Sequence, residues 1–203
     1  PTMKSILAVV SILWITTTLT VFGQSFDYSP KKPLPGQEIR ISYTPSNNLL
    51  GSERVSAVLY VFEEPTQAPK ASNLSLVQNN VPTSGTFSTS KEAKSIFIRF
   101  NSDDRTDSAF YAIALYDKVE QPVRGALAAM ASGYDNNSYA VANSYSFINS
   151  EPWSIGPYSD VNTAYNYLQE EFKIFPDSKD KYLELYASLG MALNDAKAKQ
   201  EVK

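Results

Sequence analysis

The chain has no cysteine and no histidine among its 203 residues. Without cysteine there is no disulfide, no lipid-bearing cysteine and no thiol chemistry, so an exported protein of this composition holds together by its core alone. Without histidine the commonest general base and the commonest zinc ligand are missing. Ser-His-Asp, Cys-His and His-rich metal sites are therefore excluded within this chain, and an enzyme built from it would rest on carboxylates, lysine or tyrosine. An excess of positive charge is lacking too. The formal net charge is −3, which argues against nucleic acid, a partner that asks for a basic face. Past the first two dozen residues no apolar run approaches the ~18 residues that a membrane span needs.

What is present begins with PTMKSILAVVSILWITTTLTVFGQSF. Lys4 forms a short basic segment, Ile6 to Val21 is apolar with interspersed Thr16, Thr17, Thr18 and Thr20, and Val21 and Gly23 are small residues at the spacing of a signal-peptidase site. This pattern predicts a signal peptide over residues 1–23, a periplasmic or secreted destination, and a protein not embedded in a membrane after cleavage. Pro1 and Thr2 precede Met3 and read like upstream translation.

Residues 24–134 carry strand patterns separated by turn chemistry. Pro30, Pro33 and Pro35 suit an extended lead-in, because proline fixes φ and lacks an N–H. Pro35-Gly36 fits the middle of a type II turn. Ile39, Ile41 and Tyr43 alternate with Glu38, Arg40 and Ser42, the period of a half-buried strand. VSAVLYVF has apolar residues on both faces; a short strand at Leu74 and Leu76, TFSTS, KSIFIRF and FYAIALYD follow. GALAAMASGY, Gly125 to Tyr134, reads as a last strand-like segment whose small residues suit close approach of another layer, with a helix as the competing reading. About seven or eight short strands with turns between them predict a mainly β fold, an immunoglobulin-like β-sandwich.

From Asp135 to Pro157 the chain is rich in Asn, Ser and Tyr and reads as a linker. Over residues 158–203 the period changes to 3.6. Ser159 suits the N-cap of a helix, and Asp160 suits its positive end. Val161, Ala164, Leu168, Phe172 and Phe175 form one apolar stripe, and Pro176 ends that helix. Asp177 or Ser178 opens the next, with Tyr182, Leu185, Tyr186, Leu189, Leu193 and Ala196 as its stripe. The expectation is an α-helical hairpin of TPR-like size, with the pattern running on to Lys203 as in a truncated frame.

Candidate sites are few. Asp103, Asp104 and Asp107 have the oxygen chemistry of a calcium loop but lack the EF-hand glycine and terminal glutamate, which favours a solvated loop. Glu63-Glu64 and Glu170-Glu171 are adjacent in sequence, and adjacent side chains point to different sides, so neither is a catalytic pair. Tyr139, Tyr145, Trp153 and Tyr158, with Phe147, form an aromatic cluster in an uncharged loop. They suit contact with a glycan or protein partner, or they pin the loop onto the body of the protein. No catalytic, cofactor or metal residue is expected.

PKKPLPGQEIRISY, ALYDKVEQPVRGALAAMASGY and EEFKIFPDSKDKYLELY, in that order after a signal-like segment, resemble the N-terminal region of periplasmic thioredoxin-like thiol:disulfide interchange proteins of the TlpA/ResA type. The resemblance covers nearly all of residues 24–203. It implies a sandwich and helices that precede a thioredoxin domain and position protein partners for it. That family's functional residues are a C-x-x-C pair in the thioredoxin domain. This chain has no cysteine, so none carries over, and the implied role is an accessory module without bound cofactor.

Overall fold

A computed structural model of the chain describes residues 26–78, 82–103, 105–135 and 160–193. Among them are two antiparallel sheets and four α-helices. The first sheet has the order β1-β2-β5, formed by Phe26–Ser29, Glu38–Tyr43 and Thr83–Ser88. The second joins β3 (Ser56–Phe62), β4 (Lys70–Leu74), β6 (Ser95–Ser102), β7 (Arg105–Thr106) and β8 (Tyr111–Ala114), in the order β4-β3-β6-β7, with β8 also on β6. The helices are α1 (Ala126–Asp135), α2 (Val161–Ile174), α3 (Ser178–Lys181) and α4 (Leu183–Ala192).

The strand patterns translate directly into burial. Ile39, Ile41 and Tyr43 of β2 are buried, while Glu38 and Arg40 are exposed. The turn before β2 has the expected geometry: Gly36 has φ +79°, and the Gln37 N–H bonds the Leu34 carbonyl at 3.0 Å. One hydrophobic core draws on both sheets, with Ile39, Ile41 and Tyr43 from one, and Ala57, Leu59, Ile96, Ile98, Phe100 and Ile113 from the other. The Tyr43 and Phe100 rings stack across it at 3.7 Å. Strand β6 is covered on both faces, so its opposite side needs a second layer. Phe97 and Phe62 face that side and meet Leu127, Ala129 and Met130 of α1.

GALAAMASGY is therefore a helix and not the last strand. Its alanines, leucine and methionine favour helix, and α1 buries apolar residues all round. Leu127, Ala129 and Met130 face the sheet, whereas Ala128 and Ala131 face α2 and α4. A helix apolar on every side belongs between two layers. The small residues do allow the close approach their size suggested. At Gly133 a Cβ would lie 2.1 Å from a ring carbon of Phe97, so only glycine fits against that ring.

The C-terminal helices differ from a free-standing pair. Helix α2 packs more extensively against α1 than against α4, so α1 and α2 together build a helical layer on the second sheet. Asp160 caps α2, accepting the Thr163 N–H at 3.0 Å. Phe175 and Pro176 follow the end of α2. The second helix is split: Tyr182, at φ −112° and ψ 21°, separates α3 from α4, where its buried ring reaches back toward Gly125 and Pro65. Among the described residues no helix is long and apolar enough to cross a membrane.

Candidate functional site

Tyr139, Tyr145, Trp153 and Tyr158 lie outside the described residues, as does Phe147. The ends of the stretch that holds them are joined: the Asp160 N–H bonds the Tyr134 carbonyl at 2.9 Å. Tyr134 stacks on Tyr167 of α2 at 5.6 Å. Burial, reinforced by Tyr167 and Asp160, pushes the Tyr134 phenol up to about 12.

The acidic loop corrects one expectation. Asp107 is buried and is not part of a solvated loop. Its carboxylate accepts the Tyr43 hydroxyl at 2.6 Å, the Tyr111 hydroxyl at 3.2 Å and the Ala109 N–H at 3.1 Å. Burial and these donors make Asp107 an internal fastener of the β core. The Tyr43 phenol is raised, first by burial and then by its bond to Asp107. No group of acidic residues arranged to hold a metal ion occurs among the described residues.

The two adjacent glutamate pairs split as their spacing implied. Glu63 faces Lys70 and Ser90, while Glu64 faces Lys181 of α3 at 3.0 Å. Glu170 is exposed and pairs with Lys173, whereas Glu171 is fully buried. Glu171 is the residue the sequence did not disclose as special. Its Oε1 accepts the Gly125 N–H at 2.8 Å and the Ser178 hydroxyl at 3.3 Å, and its Oε2 accepts the Leu127 N–H at 3.3 Å. Helix α1 begins with no capping side chain of its own, because Gly125 precedes it. Glu171 of α2 supplies the missing acceptors and a negative charge at the positive helix end. Burial raises its carboxyl above the ordinary glutamate value, and the backbone N–H bonds offset part of that rise.

Around this carboxylate the helical layer is laced to the sheet. Arg124 pairs with Asp177 at 2.7 Å and lies over the Phe175 ring, and Lys181 reaches Glu64 after β3. Gly125 has φ +84°, and a Cβ there would meet the Tyr182 hydroxyl at 2.9 Å. The site is a joint in which two helix starts converge on the last turn of α2.

Beside that joint the surface opens into a groove of about 400 Å³ lined by Gln169, Phe172, Lys173, Pro176, Lys179 and Tyr186. Phe172 meets Tyr186 edge-on at 5.5 Å. Tyr186 is stacked on Tyr165 at 5.3 Å, with their hydroxyls 2.9 Å apart. The Lys179 ammonium lies 5.8 Å above the Tyr186 ring. A smaller depression of about 200 Å³ lies along Thr163, Asn166, Tyr167 and Glu170 of α2. Phe172, Pro176 and Tyr186 give the groove apolar walls, and Lys173 and Lys179 stand at its rim. Compared with family models, curated proteins and solved structures, the chain matches none.

Proposed function

We propose that this chain is an exported, non-catalytic interaction module, periplasmic or secreted, that positions a protein partner or downstream domain. On this reading it is the N-terminal part of a thioredoxin-like thiol:disulfide oxidoreductase of the TlpA/ResA type. The paired sheets are then an immunoglobulin-like β-sandwich, and α2 with α3 and α4 a TPR-like hairpin. The observation that carries the reading is the use of two of the three carboxylates buried among the described residues. Asp107 and Glu171 are both spent on internal donors, while the larger of the two surface depressions described lies between helices and offers binding chemistry. The order of the strands adds support. The chain crosses between the sheets from β2 to β3, from β4 to β5 and from β5 to β6, the kind of crossover connection that immunoglobulin-type sandwiches use. The chain itself contains no cysteine and hence no catalytic thiol. Sequencing the genomic DNA beyond the Lys203 codon tests the proposal. An open frame encoding a thioredoxin-like domain with a C-x-x-C pair is the expected result, and an immediate stop codon would overturn it.

A second reading, a complete secreted protein that recognises glycan or peptide through its aromatic loop, draws on the bond that joins Tyr134 to Asp160 at the base of that loop. Under it, replacing Trp153 and Tyr158 by alanine abolishes binding on a glycan array and leaves the melting temperature nearly unchanged. A large loss of stability would instead assign those rings to packing.

A further inference from the structure

We draw no further inference here: the strongest candidate, the apolar stripe that Leu183 and Met191 leave exposed along α4, is an unpartnered helix face, and nothing in the structure shows what covers it.

Discussion

Glu171 Oε1 accepts the backbone N–H of Gly125 at 2.8 Å, across 46 positions of sequence. A residue of α2 thereby closes the open start of α1, and the helix buried between sheet and surface layer is held by a neighbour. The Leu127 N–H and the Ser178 hydroxyl bond the same carboxylate, so its removal is felt by three helices at once.

Replacing Glu171 should accordingly cost more than an ordinary surface change. Glu171→Ala leaves two buried N–H groups without acceptors and should lower unfolding free energy by about 3 kcal/mol. Glu171→Gln keeps one acceptor oxygen but turns an amide donor toward a donor, and should lose about half as much. Urea titration followed by far-UV circular dichroism measures both. Parent-like stability of Glu171→Gln beside a destabilised Glu171→Ala would mean that side-chain volume, not the carboxylate's hydrogen bonds, is what matters there.

The pH dependence of the same residue has a definite sign. Burial raises the Glu171 carboxyl in the folded chain, so the folded state binds this proton more readily than the unfolded state does. As pH falls through the raised folded value toward the ordinary 4.5, the burial penalty is relieved and Glu171 makes the folded state relatively more stable. Parent stability minus that of Glu171→Gln should therefore rise from neutral pH to about pH 5. A difference that falls over this window would show that the N–H bonds outweigh burial. Asp160 runs the other way: its carboxyl is lowered by the Thr163 bonds, so its contribution is present above the ordinary aspartate value and is lost as pH falls through its folded value.

Gly133 and Phe97 should behave as one unit. Gly133→Ala places a methyl 2.1 to 2.7 Å from three ring carbons of Phe97 and should destabilise by about 3 kcal/mol or prevent folding. Combined with Phe97→Leu, the total loss should fall well short of the sum of the two single losses. Additive losses in a denaturation cycle would disprove the contact.

Asp107 should act as a structural acceptor. Asp107→Ala strands the Tyr43 hydroxyl, which is 2.6 Å from the carboxylate, and should cost about 1–3 kcal/mol. Calcium should leave the melting temperature of the parent unchanged, and a calcium-dependent rise in a thermal melt would restore the metal reading of this loop.

The hydroxyls of Tyr165 and Tyr186 lie 2.9 Å apart in a buried stack. Tyr165→Phe and Tyr186→Phe should each cost about 1 kcal/mol, and the double variant little more than either alone, because the second removal deletes a group already without its partner. Thermal melts of the three variants provide the comparison.

Local patterns made much of the fold legible. The period of two at Ile39, Ile41 and Tyr43, and the period of 3.6 at Ala164 and Leu168, each put the named residues into a core. Pro35-Gly36 yielded its turn because its chemistry is contained in four neighbouring residues. The candidate site was much less legible. Asp107 looked like one of several loop carboxylates, and its burial depends on Tyr43 and Tyr111 arriving from other strands. Glu171 looked like half of a charged pair on a helix, and nothing near it in sequence marks the unsatisfied start of α1.

Composition and short-range period thus determined, without coordinates, that this chain has no thiol or imidazole chemistry, that its first part pairs strands and that its last part is helical. Those properties are set by residue chemistry and by the repeat of the backbone. Only the tertiary structure decided that the GALAAMASGY segment is a helix, that α2 packs first on α1, and that a lysine-rimmed groove opens beside the turn. Each of those depends on which surfaces distant segments cover. An alanine-rich segment satisfies strand and helix patterns alike until Phe97 presses against Gly133 and Glu171 meets the N–H of Gly125.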